Sequence, residues 1–208
     1  MKQYRGCSRF YGAEITETDG KITYGKPFIV APVKSISKTE EEASEEVWAD
    51  NELQYEVNGG KTVTRSFDIT NLLPEIEAKL MGQDVVTIGE GLKGYSTPAF
   101  SNRPYFAFGY ALHDGDPENP CEYVWAYRGR VKNISKASTT ITKGDTTSTG
   151  RTMEIDFFNA KELFETTKKR NLDLLVPVAE ADGFDLTKWF EQVVTPDNAS
   201  TVLKKVSA

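Results

Sequence analysis

The sequence predicts a mainly β protein with minor α-helix: a β-sandwich or barrel flanked by a short helix, with one long β-hairpin. Three observations support this prediction. Strand-like stretches fill the first three quarters of the chain, glycine- and asparagine-rich turn signals separate them, and helical periodicity is confined to short segments. The 208 residues suit a single domain, which we place at residues 1–195, followed by a C-terminal tail at 196–208.

The first strands are predicted on either side of a tight turn. Arg9–Thr16 is rich in β-forming residues and leads to Asp19-Gly20, a hairpin turn signal. Residues 22–33 continue in an extended form. Pro27 and Pro32 favour an edge position there, because proline donates no backbone hydrogen bond.

The long hairpin is predicted over residues 35–70, with its tip at Asn58-Gly59-Gly60 and its return strand at Val63–Ile69. Its outgoing part carries an acidic run, which we interpret either as a solvated loop or as an acidic surface facing a polyanion. The candidates for that surface are Glu40, Glu41, Glu42, Glu45, Glu46, Asp50 and Glu52.

A short helix is predicted next, because Leu73, Ile76 and Leu80 fall on one helical face. Asn71 is the candidate N-cap, and Gly82 ends the helix. Residues 84–103 are glycine-rich and predict a loop with a brief strand at 85–88.

Two further strands are predicted at Tyr105–Leu112 and Glu122–Ile134, and a third at Arg151–Phe157. In the second of these, alternation places three aromatic side chains on one face of the sheet. We interpret this face as packed on the core, with an exposed platform for bases or sugars as the alternative. The three residues are Tyr123, Trp125 and Tyr127.

The last fifty residues change character. Asn159 and Glu162 resemble a capping box, which predicts a helix over residues 160–170. Asp185 can cap a final helix that Pro196 stops. The apolar core face of that helix is predicted to consist of Leu186, Trp189, Phe190 and Val193.

The residues that carry catalysis or bind metals are sparse, so we expect a protein that is not an enzyme and has no cofactor and no metal. His113 is the only histidine, expected to be exposed beside a turn, and Cys7 and Cys121 belong to no ligand motif. Asp114 and Asp116 alternate as calcium ligands do, but the intervening prolines favour a plain turn.

The net charge and the hydropathy of the chain further limit the functions that we expect for it. A formal net charge of −6 and a pI near 5.0 argue against a protein that grips nucleic acid. We expect no signal peptide and no membrane span, and folding in a cytosol. Strands, a long hairpin and polar loops without a reaction site indicate structure or assembly.

Over roughly residues 4–195 the chain resembles the major tail (tail tube) proteins of long-tailed bacteriophages. The resemblance lies in soft motifs and in the order of elements. The motifs are Phe10-Tyr-Gly-Ala-Glu-Ile-Thr-Glu, Thr23-Tyr-Gly-Lys-Pro, Val33-Lys-Ser-Ile-Ser, Val47-Trp-Ala-Asp-Asn, Pro104-Tyr-Phe-Ala-Phe-Gly-Tyr and Trp189-Phe-Glu-Gln-Val-Val-Thr-Pro.

The resemblance implies self-assembly into hexameric rings, stacked into a tube through which double-stranded DNA passes without specific binding. Long hairpins would join edge to edge around an acidic lumen. It also implies tape-measure, tail-terminator and distal-tail proteins as partners, and a place in the virion tail after assembly in the host bacterial cytoplasm. Candidates for ring-to-ring contacts are residues 84–103, residues 137–149 and the N-terminal residues.

Two alternatives stay open at this point. One is another tube or virion component, such as a tail terminator, a head-decoration protein or the tube of a phage-derived injection machine. The other is a carbohydrate-binding β-sandwich with the aromatic platform exposed.

Overall fold

The computed structural model describes residues 6–49, 52–99, 102–116, 118–135 and 150–204, and along residues 41–62 it describes the backbone alone. The protein is mainly β, with 51% strand and 12% helix. The strands are β1 Gly6–Thr18, β2 Lys21–Tyr24, β3 Phe28–Ala31, β4 Val33–Ala49, β5 Glu52–Ile69, β6 Asp84–Ile88, β7 Leu92–Ser96, β8 Phe106–His113, β9 Glu122–Ile134, β10 Arg151–Phe158 and β11 Asp173–Pro177. The helices are α1 Pro74–Met81, α2 Ala199–Val202 and two 3-10 turns at Val178–Glu180 and Leu186–Phe190.

Nine strands form one antiparallel sheet whose order is β2-β1-β8-β9-β10-β5-β4, with β3 paired to β1 and β11 to β9. β3 and β4 are separated by Pro32 alone, yet β3 pairs with β1 and β4 pairs with β5. The backbone N–H of Thr70 donates to the Pro32 carbonyl at 3.1 Å. The segment bent at Pro32 therefore joins the two ends of the sheet, and the strands close into a barrel.

The interior of the barrel is filled mainly by aromatic and branched side chains from β1, β3, β5, β8, β9 and β10. Phe10 stacks on Phe67 with ring centroids 4.2 Å apart, and Phe108 meets Phe157 edge-on at 5.9 Å. Leu80 of α1 is fully buried in the same cluster, so the helix covers one part of the barrel. The helix prediction is confirmed in position and in its end at Gly82, although Leu73 occupies the N-cap.

Two glycines make room for large aromatic side chains of the neighbouring strands. A Cβ at Gly109 would lie 2.9 Å from the Trp125 ring, and one at Gly129 would lie 2.7 Å from a ring carbon of Phe157. A real Cβ does not tolerate such distances. These positions therefore require glycine for space and not for a turn.

A second cluster covers the outer face of β8 and β9. Trp125 and Tyr127 are fully buried there beneath the segment that follows β10, and the Trp125 indole N–H donates to the Trp189 carbonyl at 3.0 Å. The Tyr127 hydroxyl donates to the Val194 carbonyl at 3.3 Å. The aromatic face is therefore core, and its use as an exposed sugar or base platform is ruled out.

The C-terminal region differs from its prediction in three ways. The helix predicted over residues 160–170 is wrong, because these residues form turns, and the final helix is a 3-10 turn at Leu186–Phe190. Its predicted core face is confirmed: Trp189 and Val193 are buried, and Leu186 and Phe190 pack against them. The loose tail is wrong up to residue 204, because α2 places Leu203, 5% exposed, in the second cluster.

The strand predictions in the first part of the chain are confirmed with small shifts of their bounds. β1 and β2 flank a two-residue turn in which Asp19 and Gly20 both have positive φ, 51° and 76°. The predicted loop at 84–103 contains a separate two-stranded hairpin, β6–β7, in which Val86 pairs with Gly94. β11 is a strand that the sequence prediction missed.

Candidate assembly surface

The β4–β5 hairpin extends well beyond the barrel. From Val63 to Ile69, β5 pairs with β4 on one side and β10 on the other. From Thr62 back to Glu52 it pairs with β4 alone, as far as the Ala49–Glu52 pair. Among the described residues no third strand pairs with this distal part. Nine residues beyond Glu40 project by about 30 Å at the usual strand rise.

The predicted tip of this hairpin is wrong. Asn58, Gly59 and Gly60 lie inside β5, and the chain reverses between Ala49 and Glu52 instead. Glu42 pairs with Lys61 and Ser44 with Asn58, so the two glycines face the single residue Ala43. The glycines therefore form a β-bulge, which bends and twists the ribbon, and not a turn.

Most of the predicted acidic surface lies outside the described residues. Of the candidates, Glu40 is described, and it forms an ion pair with Lys38 on the exposed part of β4. The side chains of Glu41, Glu42, Glu45, Glu46 and Glu52, and the whole of Asp50, are not described. The backbone shows that the first four belong to a strand and not to the loop that was predicted.

The outer face at the base of the hairpin is rich in hydroxyls and carboxylates. Asp68 accepts hydrogen bonds from the Ser35 hydroxyl at 2.6 Å and the Thr152 hydroxyl at 2.7 Å. These bonds hold the pKa of the Asp68 carboxyl below its usual value, with a smaller contribution from Lys34. The charge of Asp68 therefore persists at neutral and mildly acidic pH.

The β6–β7 hairpin exposes apolar side chains. Val85, Ile88 and Leu92 are 58%, 54% and 62% exposed. The Lys93 ammonium holds the hairpin to α1 through Glu75 at 3.0 Å. Of the segments predicted to contact a neighbouring ring, this is the described one, since residues 137–149 and 1–5 lie outside the described ranges.

His113 is buried, with 4% exposure, so its predicted exposure is wrong. Its Nε2 lies 2.7 Å from the Ser8 hydroxyl and its Nδ1 lies 2.8 Å from the Asp116 carbonyl. If Nδ1 carries the proton, it donates to the carbonyl while Ser8 donates to Nε2. In a catalytic triad a charged carboxylate accepts the hydrogen bond from the histidine ring. Here a neutral backbone carbonyl takes that place, so it orients the ring but supplies no charge. The contacts tie β1 to the turn after β8.

Three further features bear on metal binding and on insertion into a membrane. No group of three or more His, Cys, Asp or Glu side chains is arranged to hold a metal ion within the described ranges. Cys7 is half-buried and Cys121 is buried, and neither forms a disulfide within the described ranges. In the same part of the chain no helix has the length and apolar character needed to cross a membrane.

Sequence reasoning found the hairpin and its acidic run but missed an ion pair in the barrel between a buried arginine and a partly exposed aspartate. The Arg65 guanidinium, 2% exposed, contacts the Asp173 carboxylate and lies 4.8 Å from the Phe157 ring centroid. Among the described atoms its Nε and Nη1 have no hydrogen-bond partner. An apolar alternation that contains one arginine is the signal that could have indicated it.

Compared with models of known protein families and with curated protein sequences, the chain finds no match.

Proposed function

We propose that this chain is a structural protein that assembles with copies of itself through the projecting β4–β5 hairpin, forming rings that stack into a phage tail tube. The observation that carries the proposal is the distal hairpin, in which β5 has β4 as its only described neighbour. Within the described residues β2, β11 and the β6–β7 hairpin also have free edges, but each of these strands is at most five residues long, so the distal hairpin is the longest unpaired β-structure.

An isolated two-stranded ribbon is marginal in water, because each strand has one edge of unpaired N–H and C=O groups. A hairpin about 30 Å long that no other described strand covers gains most by pairing with another chain. A copy of the same protein supplies an edge of matching length. Repetition of this contact around a ring would leave no edge unpaired.

The width of such a ring fits a conduit. Barrels of 16 to 18 strands already enclose a water-filled channel. Six copies supply 12 strands from their hairpins alone, and one further strand from each copy would bring the ring into this range. A continuous barrel of hairpins would therefore surround a lumen, not a packed core.

The charge of the hairpin suits a lumen that conducts double-stranded DNA. DNA carries one negative charge per about 1.7 Å of helix axis, so a cationic wall would hold it by releasing counterions. The acidic candidates from Glu40 to Glu52 are proposed to keep the wall repulsive and the DNA mobile. This proposal places the protein in the virion tail, with tape-measure, tail-terminator and distal-tail proteins as its partners.

Stacking of rings requires a second contact surface, and the exposed apolar hairpin β6–β7 is our candidate. Val85, Ile88 and Leu92 are costly to leave in water and would be covered by the next ring. The two hairpins would then have separate roles, one within a ring and one between rings.

A pair of matched truncations tests both roles. In the first variant, residues 43–60 are replaced by Asn-Gly, which closes the Glu42–Lys61 pair with a two-residue turn. In the second, residues 87–93 are replaced by Asn-Gly, which closes the Val86–Gly94 pair. Sedimentation velocity and negative-stain microscopy are measured beside circular dichroism, which checks that each barrel is folded.

We expect wild-type protein to form tubes at high concentration, the β4–β5 truncation to stay single and the β6–β7 truncation to stop at rings. A wild-type protein that stays single at every concentration would refute the proposal. Folded β4–β5 truncations that still form rings would refute the role of the hairpin. Wild-type rings that never stack would indicate a terminator or decoration protein instead.

A further inference from the structure

The charge of this protein is divided very unevenly along its chain. Residues 39–60, which form the distal hairpin, contain eight of the 31 acidic residues and no lysine or arginine. The remaining chain therefore has 23 acidic residues against all 25 lysines and arginines. The hairpin is strongly anionic, and the rest of the molecule is slightly cationic.

Hairpins of this charge repel each other if they meet side by side. Like charges on directly opposed strand positions destabilise a sheet, and the repulsion acts over the roughly 8 Å Debye length of physiological salt. A ring of copies thus needs cations near each hairpin, and its own distal segment supplies none.

A cationic patch lies on the outer face of the barrel, beside the start of β8. Arg128 and Arg130 flank Gly129 on β9, with Lys132 beyond them and Arg103 across the groove. Arg130 and Lys132 are exposed, and Arg103 and Arg128 are half-buried. Arg103, Arg130 and Lys132 line a cleft of about 460 Å³. We define this cationic patch as Arg103, Arg128, Arg130 and Lys132, with Tyr105 and Phe158.

The patch is held in place by a β-bulge and two aromatic rings. Phe106 pairs with Gly129 and Phe108 with Ala126, so β9 has one extra residue at this point. Such a bulge reverses the alternation of side chains. Tyr127 can therefore be buried under the C-terminal segment while the next residue, Arg128, joins the patch.

The aromatic rings fix the cations. The Arg128 guanidinium lies 4.2 Å from the Tyr105 ring centroid, and that of Arg130 lies 5.5 Å from the same centroid. Arg130 also lies 5.8 Å from the ring of Phe158. A cation ordered over an aromatic ring loses less side-chain entropy when it binds a carboxylate.

The cleft lined by Arg103, Arg130 and Lys132 has more positive charge than its own lining neutralises, whereas Arg128 faces a second pocket that also contains Glu17 and Glu162. Within the described residues none of the four cations of the patch forms an ion pair with a carboxylate, although Asp156 lines the same cleft and accepts a hydrogen bond from Thr64 at 2.8 Å. Three cations and one carboxylate around that cleft leave it with a net positive charge, which favours binding of an anionic group.

The patch also lies level with the base of the projecting hairpin. Cross-strand partners run from Glu40 to Val63, from Val63 to Phe157 and from Phe157 to Gly129. Arg128 and Arg130 flank the last residue of this row. The patch is therefore two strands from the point where β5 leaves β10.

We propose that the cationic patch of one copy binds the acidic distal hairpin of a second copy. This inference rests on the proposed function in assuming that copies associate, and it names the complementary surface. Each copy presents one anionic hairpin and one cationic patch, so the contact is head-to-tail and repeats around a ring. It also gives the hairpins the counter-charges that they need in order to lie near each other.

A charge-swap experiment tests this pairing. The patch variant carries Arg130→Glu and Lys132→Glu, two exposed positions, and the hairpin variant carries Glu41→Lys, Glu42→Lys, Glu45→Lys and Glu46→Lys. The matched control carries Lys169→Glu and Arg170→Glu, which make the same change of charge at exposed positions elsewhere. Sedimentation velocity over a concentration series gives the midpoint of association for each protein.

We expect the midpoint to rise at least about tenfold for the patch variant and for the hairpin variant, and to stay near wild type for the control. An equimolar mixture of the patch and hairpin variants should recover part of the association, since the unchanged acidic hairpin of the first variant then meets the unchanged cationic patch of the second. A chain that carries both sets of changes should recover it as well. Salt should weaken wild-type association.

Wild-type-like association of the patch variant would overturn the inference and leave the proposed function standing. So would two defective variants that neither the mixture nor the combined chain restores. Patch-dependent binding of a DNA oligonucleotide, with association unchanged, would identify a nucleic-acid surface instead. A wild-type protein that never associates would overturn both proposals.

Discussion

The same two strands behave differently inside the barrel and outside it. From Val63 to Ile69, β5 lies between β4 and β10, and its side chains alternate between the buried interior of the barrel and hydroxyl or carboxylate groups outside. Beyond Thr62 the same strand continues with one described neighbour. The difference shows that both edges of β5 are hydrogen-bonded inside the barrel. Outside the barrel, one edge of β5 has no partner among the described residues.

The largest change in the free energy of unfolding is expected from a substitution in the barrel interior. Asp173→Ala would leave the buried Arg65 guanidinium without its carboxylate, and breaking such a pair costs about 3–5 kcal/mol. Urea denaturation should show this loss. The exposed Asp182→Ala should change the free energy of unfolding by about 0.5 kcal/mol or less.

A second variant separates the lost pair from a general defect. Arg65→Met removes the buried charge, so Asp173→Ala should cost far less in that background. An equal loss in both backgrounds would show that Asp173 acts through something other than the guanidinium.

Hydrogen exchange measures the comparison directly. In the free subunit we expect the amides of residues 52–62 to exchange about 100-fold or more faster than those of residues 63–69, because the distal strand opens without opening the barrel. Mass spectrometry of peptides from each part gives the rates. Equal protection in a demonstrably monomeric sample would show that the distal hairpin is stable alone.

Gly129→Ala tests the packing of the barrel interior at the level where the hairpin begins. The new Cβ would meet Phe157 at 2.7 Å and Phe108 at 2.8 Å, and overpacking of this kind costs about 1–3 kcal/mol. Gly6→Ala is the matched control, since its nearest atom would be 3.6 Å away. Thermal unfolding of the two variants should differ clearly, and similar values would mean that the interior adjusts freely.

The smallest expected effect concerns alkaline pH. Burial, with a contribution from Asp68, raises the pKa of the Cys7 thiol to about 11 from 9.0. A pKa raised in the folded state stabilises the protein below pH 9, and this stabilisation is lost as pH rises from 9 to 11. Cys7→Ala should flatten the stability curve in that window by about 1 kcal/mol at most.

Alkylation of the same thiol measures its pKa independently. Iodoacetamide should modify Cys7 in native protein half-maximally near pH 11 and in urea near the ordinary thiol value. The same midpoint in both states would contradict the effect of burial.

Local patterns in the sequence predicted most of the barrel because its strands alternate and its turns are short. The position of the hairpin tip could not be predicted, since Asn58-Gly59-Gly60 is by itself a strong turn sequence. Pairing of Ala49 with Glu52 overrides that local preference and turns the glycines into a bulge. The acidic run was recognised, although its strand conformation was not, because glutamate has low β-propensity.

The remaining misses share a long-range cause. His113 is buried by contacts to Ser8 and Asp116, and no local pattern reports a partner 105 residues away. β11 is too short to show alternation, and it forms because β9 extends beyond the end of β10. The cationic patch depends on a register shift in β9, which pairing determines and composition does not.

The bend at Pro32 has a mechanical consequence. A single covalent segment closes the barrel through β3 and forms one side of the projecting ribbon through β4. A force applied to the ribbon is therefore transmitted along the backbone to the joint between the two ends of the sheet, where the Thr70–Pro32 hydrogen bond sits. Tension in the ribbon would then reach the wall of the barrel before it reached the C-terminal layer.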